Sequence, residues 1–439
     1  MKEILLLVIF VLVKNIGFSQ DFDTNKLDAY FSQLTSNNKF MGSIAVYKDN
    51  SICYHKQFGF SEVLNRVIPN KETKYRIGSI SKTFTAVLVF KAIEENKLSL
   101  TETIDSFFPE IKNATKITIA DLLQHRSGIH SFTDDMDKYL SYHTQAKSEK
   151  EMVKIIAAYD NDFEPNTQAA YSNSNYLLLS YILEEIYDKT FAQILEEKLC
   201  EPLGLESTYF SKNLAIEQNE AYSYQFDKEW KVLPQTDGTI GLGAGSLVST
   251  TSDLIQFSKA LFDGQLILDE HLEHMTTIKD RFGMGLFQST YYGLVSYGHN
   301  GGIDNFVSMF RYFPKEKIGF AVTANGLDYD FNLIETVIVK SLLNKYYDVP
   351  IFAIYKPQSK ELNQYIGMYS SDTYPVTIHV IKQKKQLILR VANNAPMPLE
   401  AFAKGKFKFD KAGIVVEFIP SKNEMQIKQS GKTSSLKRE

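Results

Sequence analysis

Cysteine is nearly missing from this chain: Cys53 and Cys200 are the only two in 439 residues. A disulfide-stapled scaffold is thereby excluded, and so is a cysteine-clustered zinc site. Two thiols so far apart read as separate buried side chains. An excess of one charge is missing too, since 48 Lys+Arg against 52 Asp+Glu leave a net charge of −4. That balance offers no footing for nucleic acid, and no nucleic-acid partner is expected. Metal motifs are equally sparse. His271 and His274 stand three apart, but no H-E-x-x-H accompanies them, so neither metal nor cofactor is expected. There is no phosphate-cradling glycine loop and no internal repeat. Beyond the first residues no run is apolar and long enough to cross a bilayer, and no membrane span is expected.

What is present is ordinary globular material, 44% hydrophobic and 23% charged, in a length that fits one large domain and a smaller one. Lys2, an apolar run over 4–13 and Gly17-Phe18-Ser19 read as a secretory signal peptide over residues 1–19. The destination is then periplasmic or extracellular. Charge is uneven along the chain. From Gln358 onward 14 Lys+Arg face 7 Asp+Glu, which leaves 34 against 45 before it.

Taken in order, residues 23–37 have the spacing of an amphipathic helix, and 42–47 and 51–55 read as two strands joined by Lys48-Asp49-Asn50. Residues 98–108 and 118–123 read as short helices, and 147–187 as an all-helical insertion broken near Pro165. A glycine-rich stretch, 238–249, leads into a helix near 254–262 that Thr251, Ser252 or Asp253 caps. Strand patterns follow at 297–302, 307–312 and 318–323, then a helix near 332–345. Residues 346–357 read as a linker. The tail, 358–439, has short alternating stretches typical of a small antiparallel barrel. Strands first, helices next and strands again imply a mixed antiparallel sheet with helices on its faces.

The chemistry concentrates in Y-R-I-G-S-I-S-K-T-F-T, residues 75–85. Ser79 and Lys82 are three apart at the start of an apolar helical run, so hydroxyl and amine share a face. A lysine driven into an apolar face loses proton affinity and can act as a base near neutral pH. S-x-x-K alone is weak, for it recurs at Ser36–Lys39 and Ser434–Lys437. Further landmarks are T-I-A-D-L-L-Q-H-R-S-G-I (118–129), F-E-P-N-T-Q-A-A-Y-S-N (163–173), P-L-G-L (202–205), G-A-G-S-L-V-S-T-T-S-D-L (243–254), G-H-N-G-G (298–302) and A-N-G (324–326).

With these seven landmarks in register, the chain resembles the serine β-lactamase and penicillin-binding-protein superfamily. It is most similar to the class C β-lactamase-like branch, with its D-aminopeptidases, DD-carboxypeptidases and esterases. The resemblance implies an α/β (α+β) β-lactamase/transpeptidase-like fold over residues 20–345, with a lipocalin-like barrel after it. It makes Ser79 the acylated nucleophile. Lys82 and Tyr171 share its proton, with Tyr171 the base. Asn173 holds the substrate amide and orients Lys82, while the N–H groups of Ser79 and Gly302 form an oxyanion hole. His299 binds substrate where many relatives carry lysine; charged only in part near neutral pH, it weakens the case for a dedicated β-lactamase. Gln124 to Ser127 pack behind the site. The expected partner is a small-molecule or peptide substrate, peptidoglycan fragments included. The expected activity is acyl-enzyme hydrolysis of a small amide, peptide or ester, against two alternatives: a class C-type β-lactamase, or a non-catalytic sensor of penicillin or cell-wall fragments.

Overall fold

The computed structural model describes residues 22–350, 352, 355–372, 374–391, 395–429 and 432–439. The signal segment read over 1–19 lies outside the described residues. A helix, Thr24–Ser36, comes first, capped by the Asp23 side chain and burying Leu27, Tyr30, Phe31 and Leu34. Strands β1 (Phe40–Lys48) and β2 (Ser51–Phe58) then form a hairpin. Its turn residues Asp49 and Asn50 both have positive φ, 53° and 61°, as a two-residue hairpin loop requires.

Far along the chain, β3 (Phe287–Tyr291), β4 (Leu294–Ile303), β5 (Phe306–Phe313) and β6 (Ile318–Leu327) complete the sheet in the order β2-β1-β6-β5-β4-β3. These neighbours are antiparallel. A short hairpin, Tyr224–Asp227 and Glu229–Val232, joins β6 through one parallel pair, Tyr224 with Gly326. Period-two alternation splits β1 between two cores. Ile44 and Val46 face the helices Thr24–Ser36 and Phe331–Leu342. Ala45 and Tyr47 face the larger cluster built on Ser81–Glu94, Asn173–Tyr187 and Thr251–Phe262. Ser81–Glu94 is buried nearly all round and forms the axis of that cluster.

Several expectations are corrected. Residues 98–108 hold only a short 3₁₀ turn, Ile104–Ser106. The backbone there bonds to the next segment, Ile104 N–H to the Ile117 carbonyl at 3.0 Å, which takes the donor that a helix would use. The cap of Thr251–Phe262 is Thr250, whose hydroxyl accepts from the Asp253 amide at 3.2 Å. Cys53 is exposed on the edge strand β2 rather than buried, while Cys200 is buried, and both are free thiols.

Eight strands between Gly367 and Arg438 close into a barrel, the first pairing with the last through Tyr369 and Arg438. Its interior holds Ile378, Val380, Leu389, Val416, Phe418 and Leu436. Charge ties it to the rest of the molecule. Buried Lys39 lies 2.9 Å from Asp328 and 3.4 Å from Asp410 of the barrel, and Lys411 of the barrel reaches Asp328 at 3.0 Å. Among the described residues no helix is long and apolar enough to cross a membrane.

Candidate active site

Ser79 stands in a one-turn 3₁₀ segment, Gly78–Ile80, directly before the helix Ser81–Glu94. Gly78 has φ of +52°, and a Cβ there would lie 2.6 Å from the Gly302 nitrogen, so both strain and space demand glycine. Lys82, in the first turn of the helix, is fully buried. Its Nζ lies 3.0 Å from Ser79 Oγ, 2.7 Å from Asn173 Oδ1 and 2.6 Å from the Ala244 carbonyl. No carboxylate is among these partners, and burial pushes the amine well below its usual range. An unprotonated amine has two hydrogens and one lone pair. With three hydrogens Nζ donates to all three partners; in its neutral form the Ala244 carbonyl and Asn173 Oδ1 take the two hydrogens, leaving the lone pair to the Ser79 hydroxyl.

The second contributor arrives from the helical insertion. Asn166, following Pro165, has φ of 63°, which asparagine tolerates better than most residues. Arg126 secures this turn by donating to Asn166 Oδ1 at 2.9 Å and to its carbonyl at 2.6 Å, and it pairs outward with Asp280. His125 Nδ1 accepts from the Ser172 amide at 3.1 Å, and its ring lies 4.5 Å from that of Tyr171. Residues 125 and 126 thus support the chain behind Tyr171, as the landmark reading has it. Burial raises the pKa of the Tyr171 phenol, and the Ser79 hydroxyl beside it lowers it in part, leaving it above the ordinary tyrosine value. Lys82 Nζ sits 4.9 Å from the Tyr171 ring centre. Asn173 is held from two sides, its amide donating to Ser131 Oγ at 3.1 Å and its Nδ2 to Thr133 Oγ1 at 2.8 Å. Ser131 and Thr133 escaped the sequence reading, because their partner lies some forty positions away and no local spacing signals it.

The third contributor is β4. A Cβ on Gly301 would lie 1.9 Å from the Ile77 carbonyl, so this strand can run against the Gly78–Ile80 turn only with glycine there. The β4–β5 connection is Asp304-Asn305, with φ of 49° and 74°, a mirror-type hairpin turn. Asp304 accepts from the Thr236 amide at 2.7 Å and its hydroxyl at 2.6 Å, with buried Arg76 at 3.7 Å. A cavity of about 620 Å³ opens in front of this assembly. Ser79, Asn173 and Gly302 line it, together with Phe132, Thr133, Asp134, Met136, Tyr139, Leu140, Asp304 and others.

His299 does not line that cavity. It is buried on β4, its ring 4.7 Å from Phe287 and 6.4 Å from Tyr171, with Nδ1 2.5 Å from the Asn300 carbonyl. Burial depresses its pKa to about 3. The imidazole is therefore neutral, which replaces the expectation of partial charge. A consequence follows for stability. The unfolded chain takes up this proton near a pH of about 6.5, whereas the folded protein refuses it down to about 3. Stability is complete above the first value and drains away as pH falls toward the second. In urea melts between pH 4.5 and 6.5, His299→Asn should lose about 1.4 kcal/mol per pH unit of the wild-type slope. Equal slopes in the two proteins would show that His299 is not held neutral.

Comparison with known proteins places these features in context. A family model described as Beta-lactamase matches residues 27–340. Penicillin-binding protein 4* of Bacillus subtilis (strain 168) is 26% identical over 431 residues, covering 89% of this chain and 93% of that protein. Among solved structures, the octameric penicillin-binding protein homologue from Pyrococcus abyssi has a TM-score of 0.68 at 26% identity, covering 94% of this chain and all of that one. The D-amino acid amidase from Ochrobactrum anthropi SV3, complexed with L-phenylalanine amide, has a TM-score of 0.63 at 22% identity, covering 73% of this chain and 99% of that one.

Proposed function

Because this chain belongs to the beta-lactamase family of serine hydrolases, we propose that Ser79 attacks the carbonyl of a small amide, peptide or ester and is acylated. Lys82 takes the hydroxyl proton. The observation that carries this reading is its Nζ, 3.0 Å from Ser79 Oγ with both other partners acting as acceptors. Landmark reasoning gave the base role to Tyr171, but burial raises the phenol and lowers the amine, which favours Lys82. Tyr171, beside Ser79, then passes a proton toward the leaving group. The oxyanion is met by the N–H groups of Ser79 and Gly302. Collapse expels the amine or alcohol, and water delivered by the same base releases the acid. Asn173 holds Lys82 in line.

A dedicated β-lactamase or DD-carboxypeptidase is disfavoured, since His299 is neutral and the described lining of the cavity holds no lysine or arginine for a carboxylate. The signal segment over 1–19 directs the protein to the periplasm or outside the cell. Treatment with a fluorophosphonate, followed by peptide mass spectrometry, should find the adduct on Ser79 and none in Ser79→Ala. A wild-type protein that stays unmodified would sink the hydrolase reading and favour a binder. A chromogenic cephalosporin, a D-alanyl p-nitroanilide and a p-nitrophenyl ester, run on one preparation, then rank the substrate classes.

A further inference from the structure

A buried ion pair stands just behind the Ser79 turn. Arg76 lies three residues before Ser79 on the two-residue strand Tyr75–Arg76, its side chain 2% exposed. Among the described residues one carboxylate comes within ion-pair range of it: Asp304, at 3.7 Å and itself 6% exposed. The guanidinium donates through Nη1 to the Thr236 carbonyl, while Nε and Nη2 have no hydrogen-bond partner. Asp304 accepts from the Thr236 amide at 2.7 Å and from its hydroxyl at 2.6 Å, and Thr236 Oγ1 also meets the Tyr139 hydroxyl at 3.0 Å. Three stretches far apart in sequence are thus fastened at one buried point: the strand leading to Ser79, the loop before Asp237 and the β4–β5 turn.

Such a pair is a poor source of stability. Desolvating two charges costs about as much as their attraction returns, and two guanidinium nitrogens here stay unpaired besides. Its value lies in fixing position. Arg76 precedes Ser79 by three residues and Asp304 follows Gly302 by two, so the pair spans the same gap across which the Gly78 turn and Gly302 face one another. The β4–β5 turn is held from its other side as well, the Asp304 carbonyl accepting from Ser223 Oγ and Asn305 Nδ2 donating to the Tyr224 carbonyl at 2.5 Å. Although Asp304 lines the cavity, both its oxygens are already taken. Resting on the hydrolase reading above, we infer that Asp304 is a positioning residue for the oxyanion hole. Joined to Arg76 and Thr236, its carboxylate sets the spacing between the N–H groups of Ser79 and Gly302 and touches no reacting atom.

The test compares p-nitrophenyl acetate with its thionoacetate, in which sulfur replaces the carbonyl oxygen, on the full-length protein. Donors placed for an oxygen serve the larger, weakly accepting sulfur poorly, so the ratio of the two acylation rates reports the oxyanion hole. Wild type should acylate about 10²- to 10³-fold faster with the oxygen ester. Asp304→Asn keeps the side-chain volume but gives up the charge and one acceptor. Its kcat should fall about 10²-fold at nearly constant KM, and the ratio should drop by about tenfold or more. Thr236→Val, which retains the amide bond and the ion pair, should move both quantities the same way by less. Arg76→Lys, which keeps a cation beside Asp304, should stay nearer wild type than Arg76→Met. Leu140→Ala alters the same cavity away from this network and should change KM without changing the ratio. Melting scans establish that each variant is folded. A folded Asp304→Asn with the wild-type ratio, or with a loss confined to KM, overturns the assignment; if that variant does not fold, an unchanged ratio in Thr236→Val does so. Wild type that neither the acetate nor a fluorophosphonate labels at Ser79 sinks the hydrolase reading itself, so the two failures are distinct.

Discussion

Lys82→Met should lower kcat/KM by roughly 10³- to 10⁴-fold, the range that a positioned general base supplies. Methionine fills nearly the same volume, so the helix Ser81–Glu94 keeps its packing and the loss reads as chemistry. What disappears is the one lone pair facing Ser79, together with the donor shared by Asn173 Oδ1 and the Ala244 carbonyl. Thermal stability should hold or rise, since an amine buried without a counter-charge is costly to keep. Wild-type activity should rise with pH through the depressed lysine pKa, far below the ordinary lysine value, and then level off. The variant should lack that limb. Methionine retaining a tenth of the activity with the acid limb intact would return the base role to Tyr171.

Gly301→Ala should lower kcat by about 10²- to 10³-fold, as removal of one oxyanion donor does. The methyl group would sit 1.9 Å from the Ile77 carbonyl and 2.3 Å from Ser308 Oγ. Backbone cannot yield cheaply there, for Ser308 Oγ already donates to that same carbonyl at 2.7 Å. β4 must move off the nucleophile turn, and the Gly302 N–H moves with it. Gly302→Ala is the informative contrast. Its Cβ would have nothing nearer than the Phe306 carbonyl at 4.0 Å, so the donor itself accepts a methyl far more easily than its neighbour does. Similar losses in both variants would show that strand position does not govern the site. A melting scan separates global unfolding from this local shift.

The sequence is most legible where residues that act together also lie together. Ser79 and Lys82 share one turn of chain, and alternation marks β1 and β5 well enough to call for a sheet. Tyr171 and Asn173 became legible only through the run of landmarks, because nothing local ties them to Ser79. Ser131 and Thr133 carried no signal at all: their contacts depend on where their loop lands against a helix that begins at Asn173. His299 was placed on the correct strand but given the wrong state, since composition cannot report that Phe287 and Tyr171 wall it from water. In the barrel, Lys432–Arg438 has one inward residue, Leu436, and the strand exists because its backbone pairs on both sides. Pairing of that kind leaves almost no hydrophobic pattern to read.

The placement of β1 against β6 has a consequence for how the enzyme comes into being. Ser43 pairs with Thr323, and the Gly78 turn packs on Gly302, so the ribosome must deliver some 280 and 220 further residues before either contact can close. At about 5–20 residues per second this is a wait of tens of seconds, spent without a central sheet. Contacts so distant in sequence also make folding slow once the chain is whole. No N-terminal fragment that stops short of β4 can set Gly302 against the Gly78 turn, and hydrolytic power therefore switches on late, as a property of the finished polypeptide.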